Sequence, residues 1–285
     1  MGYNIEKLRV YHSFWSKPLL KKRFERTLAD QIPSTLLFTA IGVVAAKKLG
    51  IEIVLHTDDY GAKLFEDIPY DEVYLTLNGH NIHHQFWASG KMVALEKEPL
   101  GACHLDNDAW IKRNPCKHLI LSATSDLVAQ SIENSMNVYK STTAFVFDNV
   151  DDKSFLDFNK IKHPFKAYNC GVVKINNQKL KDQYLDAYWR VTHQLDKSKP
   201  EGFEHKYCIP DLVAEQWVLY QLCDQFGYSG TALIAGNEQE NAKKIGYTHL
   251  ISEEKYRIDD KLKNILLELD SDLLSKIWKK AKEVV

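Results

Sequence analysis

Blocks of apolar residues separated by polar turns run along the first part of the chain. Residues 7–14 have the composition of a strand, and the apolar run 35–50 begins after Ser34, carries two lysines near its end and stops at Gly50. An N-cap, basic residues in the last turn and a terminal glycine are the signals of a helix. Residues 51–56 follow at once as a second strand. This order predicts a βαβ unit.

The rest of the chain continues as short apolar segments of helical or strand character. Further strands are predicted at residues 72–77, 101–105, 117–122, 144–148, 166–175, 231–235 and 247–251. Further helices are predicted at residues 86–97, 126–133, 179–193 and 212–226, with a charged helical tail at about 259–285. No repeat or linker divides the chain. The expected organisation is a single α/β domain, 1–285, that ends in the helical tail.

Composition and charge exclude several classes of protein. Hydrophobic residues make up 45% and charged residues 26% of the 285 positions, as in ordinary globular proteins. A net charge of -1 provides no electrostatic footprint for nucleic acid. Five cysteines without CxxC spacing disfavour both a disulfide framework and a zinc site. Without a signal core or an apolar run near 18 residues, we expect a cytoplasmic protein with no transmembrane segment.

Two carboxylates follow the buried strand predicted at 101–105. Asp106 and Asp108 are separated by one residue and precede an apolar Ala-Trp-Ile segment. Ligands bind outside the carboxyl ends of the strands in open α/β sheets, and two acids there repel each other unless a cation or solvent separates them. Mg²⁺ and Mn²⁺ are often bound by one or two carboxylates together with water and phosphate oxygens. The motif therefore suits a metal-bound diphosphate, although a solvated turn has the same composition.

Four further segments form a pattern along the chain: FWASGKMVAL (residues 86–95), HLDND (104–108, with the DxD motif), YNCGVVKI (168–175) and GYTHL (246–250) followed by Lys255. In this order they resemble the nucleotide-sugar glycosyltransferases of the GT-A fold, within the retaining, metal-dependent group that includes the glycogenin-like and initiating-mannosyltransferase-like families. The chain departs from the family pattern in three places. Leu100-Gly101 precedes the strand that leads to the DxD motif, where Gly-Gly is usual. Glu215-Gln216 is on a late helix, where Asp-Gln is usual. The tail has no clear Lys-Pro-Trp.

The resemblance implies a Rossmann-like mixed sheet flanked by helices. It also implies transfer of a sugar from a nucleoside diphosphate sugar to a hydroxyl of a glycan, glycolipid or other acceptor, with retention and with Mn²⁺ or Mg²⁺. The implied metal ligands are Asp106, Asp108 and His249. The implied donor-binding residues are Ser89, Lys91, Asp106, Asn107, Gly171 and Lys255. The implied catalytic residues are Glu215, Gln216 and Asn169.

Several of these residues have structural alternatives. His249 lies in apolar surroundings, where a hydrogen-bonded core histidine is common, and Lys91 could be a solvated helical lysine. Asn169 and Gly171 could mark a β-bulge rather than a sugar contact. Asp58 with Asp59 could touch the base or ribose or cap a helix.

Other residues and activities also compete with the leading hypothesis. His80, His83 and His84 are expected at the surface or on the acceptor side, without zinc. Rival activities are a sugar-phosphate nucleotidyltransferase, a haloacid-dehalogenase-like phosphatase with Asp106 as nucleophile, and a non-enzymatic binding protein.

Overall fold

The computed structural model describes residues 7–21, 27–203, 209–235, 238–251 and 253–284. Within these residues seven strands form the main sheet, in the order β3-β2-β1-β4-β7-β6-β8, and two more form a small separate sheet. The strands are β1 (Arg9–Phe14), β2 (Glu52–Thr57), β3 (Glu72–Tyr74), β4 (Cys103–Leu105), β5 (Ala109–Ile111), β6 (Leu127–Asn134), β7 (Lys166–Ile175), β8 (Gly230–Ala232) and β9 (Tyr247–His249).

The sheet is mixed because its two halves run differently. Strands β1 to β4 are parallel, β7 is antiparallel to both β4 and β6, and β8 is parallel to β6. Buried side chains form two large apolar clusters, which match the two faces of a sheet covered by helices. The predicted mixed α/β sheet with flanking helices and a helical tail is confirmed.

The helices are α1 (Ser16–Leu20), α2 (Leu28–Lys48), α3 (Asp59–Leu64), α4 (Ser89–Lys97), α5 (Asn114–Ser122), α6 (Met136–Asp148), α7 (Gln178–Ser198), α8 (Pro210–Leu212), α9 (Val218–Phe226), α10 (Glu238–Ile245), α11 (Asp259–Leu269) and α12 (Ser271–Val284). A π-helix, Val213–Trp217, joins α8 to α9. Short 3-10 helices lie at Phe158–Lys160 and Glu253–Arg257.

Three elements in the middle of the chain differ from their predictions. Residues 117–122 are helical rather than extended, because Asn114-Pro115 starts a helix that buries Cys116 and Ile120 on one side. Residues 144–148 are the end of α6, which Ser135 caps. Residues 126–133 form a strand rather than a helix, since β6 pairs on both sides with neighbouring strands. The hydrophobic period of a short apolar run does not distinguish a helix from a strand. The helix-start signals decide the first two segments, and pairing within the sheet decides the third.

The N-cap of helix α2 is Thr27, seven residues before the predicted cap Ser34. Thr27 and Asp30 form a capping box at its start, and Pro33 is tolerated within the helix near its N-terminus. By length and composition α2 could cross a membrane, but core helices pass the same test, and 78% of its apolar window is buried inside the fold. The predicted absence of a membrane span therefore stays a prediction.

The small sheet returns the late chain to the carboxyl end of β4. Strand β5 follows the two acids directly and pairs antiparallel with β9, so that Ala109 lies opposite His249. The backbone N–H of Leu250 donates to the carbonyl of Asp108 over 3.0 Å. Residues separated by about 140 positions in sequence thereby meet at one edge of the main sheet.

Candidate active site

The two acids lie in a turn whose backbone is fixed on both sides. The N–H of Asp106 donates to the carbonyl of Gly171 on β7 over 3.0 Å, and the N–H of Ala109 donates to the carbonyl of Asp106 over 2.9 Å. The Asp106 side chain is 31% exposed, whereas that of Asp108 is 12% exposed. Both carboxylates thus stand at the carboxyl end of β4, where the sequence predicted them.

His249 completes a cluster with the two acids. Its Nε2 lies 3.4 Å from Asp108 Oδ1 and 3.7 Å from Asp106 Oδ2. Ligand-type atoms of these three residues all lie within 4.8 Å of one another. Ligand atoms around one Mg²⁺ or Mn²⁺ at about 2.1 Å are necessarily about 3 to 4 Å apart. The spacing is therefore that of a cation site, while the ligand role of His249 stays a prediction.

Gln130 orients the His249 ring. The side-chain oxygen of Gln130 lies 2.8 Å from His249 Nδ1 and accepts from the Tyr247 hydroxyl over 2.7 Å. A carbonyl oxygen can only accept, so Nδ1 donates to it, and Nε2 is the ring nitrogen that faces the acids. Such outer partners commonly fix metal-binding histidines. Burial lowers the pKa of His249, but the neighbouring Asp108 and Asp106 prevail and raise it. Gln130 lies at a register shift in β6, within the segment predicted as helix, and no sequence signal pointed to it.

Gly171 leaves the space that this histidine occupies. A Cβ at Gly171 would lie 2.6 Å from His249 Nδ1 and closer still to the side-chain oxygen of Gln130. Real Cβ atoms essentially never approach heavy atoms so closely. Glycine is thus required here by the close approach of the Gln130–His249 pair.

Two lysines compensate the carboxylates from opposite sides. Lys255 pairs with Asp108, and Lys91 pairs with both Asp106, at 2.9 Å, and Glu215. Burial opposes the charged form of Asp108, but Lys255 and His249 outweigh it and hold the Asp108 pKa below its usual range. Burial lowers the pKa of each lysine, yet the adjoining carboxylates prevail and raise both.

The π-helix Val213–Trp217 carries the predicted pair Glu215 and Gln216. Isolated π-turns inside helices are frequent at functional sites because they reorient neighbouring side chains. Glu215 is 2% exposed, and its carbonyl accepts from the Tyr184 hydroxyl over 3.0 Å. Both Glu215 and Gln216 line the same cleft as the acids.

The other predicted site residues occupy varied positions. Asn107 lines the cleft and donates its amide to the carbonyl of Ser13 over 3.1 Å. Asn169 is 5% exposed, donates to Glu133 over 2.6 Å and accepts from the N–H of Gly171 over 3.0 Å. Ser89 is fully buried and bonds to His80 over 2.8 Å. Asn107 therefore faces the cleft, whereas Asn169 and Ser89 bind protein groups beside it.

A cleft of about 540 Å³ opens over the acids. Binding sites for small molecules commonly enclose 300 to 1,000 Å³. Much of the cleft lining is aromatic or apolar, and this part includes Phe14, Trp15, Phe38, Trp87, Leu250 and Tyr256. The aromatic content of the sequence suggested a groove for flat ligands, but it did not indicate which residues form one.

Two acids outside the cluster, Asp58 and Asp152, have structural roles. Asp58 caps α3 through the N–H of Gly61 and also accepts from Ser16, which agrees with its capping alternative. Asp152 pairs with Arg190 at 2.7 Å on the surface. Asp152 therefore does not supply the second acidic strand that a haloacid-dehalogenase-like phosphatase would place at its active site.

Three solved structures, all of glycosyltransferases, are similar to this chain. The apo structure of the bifunctional glycosyltransferase WbbM matches with a TM-score of 0.51 and 13% identity, over 98% of this chain and 53% of that chain. The galactosyltransferase LgtC with donor and acceptor sugar analogues aligns at a TM-score of 0.45 and 9% identity, over 92% of this chain and 96% of that chain. Mouse xyloside xylosyltransferase 1 in its apo form aligns at a TM-score of 0.41 and 11% identity, over 86% of this chain and 97% of that chain.

At this level of identity the likeness to WbbM shows the fold alone, a GT-A-like glycosyltransferase fold. The chain spans about half the length of WbbM. No curated protein matches the chain. The chain belongs to DUF6734, described as a family of unknown function, whose model matches residues 8–279.

Proposed function

We propose that the protein is a metal-dependent glycosyltransferase that moves a sugar from a nucleoside diphosphate sugar to an acceptor hydroxyl, with retention of anomeric configuration. The observation that carries the proposal is the convergence of Asp106, Asp108 and His249 at the base of the cleft. The free thiols of the described cysteines fit a reducing, cytoplasmic setting.

The residues at the cluster fit a divalent cation. Two carboxylates and one imidazole are an appropriate donor set for Mn²⁺, and an imidazole favours Mn²⁺ over Mg²⁺. The Gln130 carbonyl presents His249 Nε2 toward the acids, and Gly171 leaves room for both side chains. When bound, the cation would polarise the diphosphate and offset the charge of the leaving group.

Charge balance around the cleft also favours an anionic ligand held through a cation. Asp106, Asp108 and Glu215 carry three negative charges, and Lys91 and Lys255 carry two positive ones. With a neutral His249 the site has a net charge of -1, which a divalent cation would change to +1. A diphosphate would then be attracted to the cleft.

Each residue then has a separate task. Lys255, released from Asp108, would hold diphosphate oxygens as a point charge, and Lys91 would do the same from the opposite side. Glu215 and Gln216 would face the sugar, between the donor and the acceptor. The apolar and aromatic walls would exclude water from the transferred group.

The experiment is a donor panel. UDP-, GDP- and CMP-sugars are incubated with the protein in Mn²⁺ or in chelator, and release of the free sugar is measured. We expect Mn²⁺-dependent hydrolysis of at least one donor, lost in Asp108→Asn and retained in Asp152→Asn, which removes only a surface ion pair. Unchanged hydrolysis in Asp108→Asn would overturn the metal assignment. Release of inorganic phosphate from a phosphate ester, with no nucleotide sugar present, would favour a phosphatase.

A further inference from the structure

A hydrogen-bond network behind the cleft joins two predicted site residues to one carboxylate. Asn169 donates its Nδ2 to Glu133 Oε1 over 2.6 Å. The hydroxyl oxygen of Tyr139 lies 3.1 Å from Glu133 Oε2 and 3.0 Å from Gln216 Oε1. Each oxygen of Glu133 therefore bonds to a different side chain, Oε1 to Asn169 and Oε2 to Tyr139. Neither Glu133 nor Tyr139 was predicted from the sequence.

The sheet and helix α6 build this network. Ser131 on β6 is opposite Asn169 on β7, so Glu133, two residues further along, is on the same face and diagonally adjacent to Asn169. Tyr139 lies in the first turns of α6, is fully buried, and directs its hydroxyl between β6 and the π-helix. Burial and the nearby charge of Glu133 raise the pKa of Tyr139, so its hydroxyl stays protonated.

Counting protons constrains the amide of Gln216. A phenol has one proton, yet two oxygens face the Tyr139 hydroxyl. A carboxylate can only accept, and a hydrogen bond to an ionised acceptor is stronger than one to a neutral carbonyl. Tyr139 therefore donates to Glu133 and must accept from Gln216. Rotating the Gln216 amide by half a turn exchanges its oxygen for its similarly sized NH₂ group and satisfies both partners.

We infer that Glu133 and Tyr139 are positioning residues that fix the Gln216 amide with its NH₂ group on Tyr139 and its carbonyl oxygen toward the cleft. In this orientation Gln216 accepts a hydrogen bond from a hydroxyl of the bound sugar. The sugar contact rests on the proposed function, whereas the orientation of the amide does not. The two parts are therefore tested separately.

Two substitutions change the network in opposite ways. Glu133→Gln places an amide against Tyr139, which can then accept from residue 133 and donate to Gln216, so that the Gln216 NH₂ turns to the cleft. Tyr139→Phe removes the hydroxyl and leaves the amide unfixed. Tyr228→Phe is the matched control, because the Tyr228 hydroxyl also donates to a glutamine carbonyl, that of Gln183, over 2.7 Å but away from the cleft.

The first test needs no ligand. The side-chain amide signals of ¹⁵N-glutamine-labelled protein are recorded, and the Gln216 signal is assigned by its loss in Gln216→Met. Exchange of its amide protons with water should become about two- to tenfold faster in Tyr139→Phe and in Glu133→Gln, the factor expected from the net free energy of one hydrogen bond. The exchange rate should stay unchanged in Tyr228→Phe. Equal exchange in the wild type and Tyr139→Phe would overturn the orientation.

The second test separates sugar positioning from general stability. Affinities for UDP and GDP are compared with those for UDP-glucose and GDP-mannose, all with Mn²⁺. Tyr139→Phe should weaken the sugar conjugates about two- to tenfold while leaving the bare diphosphates unchanged. Equal losses for conjugate and diphosphate, or no loss for either, would overturn the positioning role. Failure of the wild type to bind any of the four refutes the proposed function and the sugar contact together, and the exchange test still decides the amide orientation.

Discussion

Two clusters with a buried carboxylate, one around Glu98 and one around Asp108, differ in that only the second opens to a cleft. At the first, Glu98 accepts two hydrogen bonds from Arg9, at 2.6 and 2.9 Å, and lies 2.9 Å from His56 Nε2. At the second, His249 Nε2 stands 3.4 and 3.7 Å from Asp108 and Asp106, beyond close hydrogen bonding. The Glu98 carboxylate bonds directly to both of its partners. In the second cluster Lys91 and Lys255 pair with the acids, yet Asp106, Asp108 and His249 still place ligand-type atoms around a shared space.

This difference distinguishes a stabilising network from a candidate binding site. Burial of a carboxylate occurs in both clusters, and Glu98 is 4% exposed while Asp108 is 8% exposed. Burial alone therefore does not indicate function. The informative features are an adjoining cleft and spacing that suits a cation better than a direct hydrogen bond.

The largest effect is expected on stability, from the Glu98 cluster. Glu98→Gln removes the charge that pairs with Arg9 and His56, so the free energy of unfolding should fall by about 3 kcal/mol. Urea denaturation followed by circular dichroism measures it. Asp152→Asn, which breaks an exposed pair with Arg190, is the control and should lower the free energy of unfolding far less than Glu98→Gln does. Equal losses in the two variants would contradict the comparison.

Low pH should remove the stabilisation that the ionised Glu98 provides. Burial opposes ionisation of Glu98, but its bonds to His56 and Arg9 prevail and lower its pKa to about 2. A carboxylate with a depressed folded-state pKa stabilises the protein above its unfolded pKa of about 4.5 and loses that effect as the pH falls toward 2. The stability difference between the wild type and Glu98→Gln should therefore shrink between about pH 4.5 and pH 2. A difference that stays constant across this range would exclude the linkage.

At the cleft the expected effects are on metal affinity. His249→Ala should weaken Mn²⁺ binding about 10- to 100-fold and reduce the preference for Mn²⁺ over Mg²⁺, because Mg²⁺ gains less from a nitrogen ligand. Isothermal titration with each metal measures both. A core histidine would behave in the opposite way, with a stability loss of about 1–3 kcal/mol and unchanged metal affinity.

A smaller effect should follow from filling the space beside the histidine. Gly171→Ala forces Gln130 or His249 to shift, and about a tenfold loss of Mn²⁺ affinity is expected. Gly50→Ala is the control, since its Cβ meets nothing, although its φ of 64° strains any other residue. It should lower stability without changing metal affinity. Unchanged affinity in Gly171→Ala would show that the orientation of His249 by Gln130 is unimportant.

The sequence predicted those parts of the fold and site that follow from local pattern. The order from β1 through α2 to β2, and the two acids after β4, could be predicted because strand ends carry chemistry in α/β folds. The segments α5, β6 and α6 could not, since short apolar runs take their form from their neighbours. His249 was predicted only through a family resemblance, because its approach to Asp108 depends on the pairing of β5 with β9. Gln130, Glu133 and Tyr139 left no local signal.

The most direct test of the cation-dependent site is a thermal shift measurement with UDP, GDP and CDP, in Mn²⁺ and in chelator, on the wild type and Asp108→Asn. At a hundredfold excess over Kd, a ligand that binds only the native state stabilises it by about 2.7 kcal/mol. The predicted result is that at least one diphosphate raises the melting temperature of the wild type in Mn²⁺, with no rise in chelator or in Asp108→Asn. Equal shifts in Mn²⁺ and in chelator, or no shift with any diphosphate, would contradict the account.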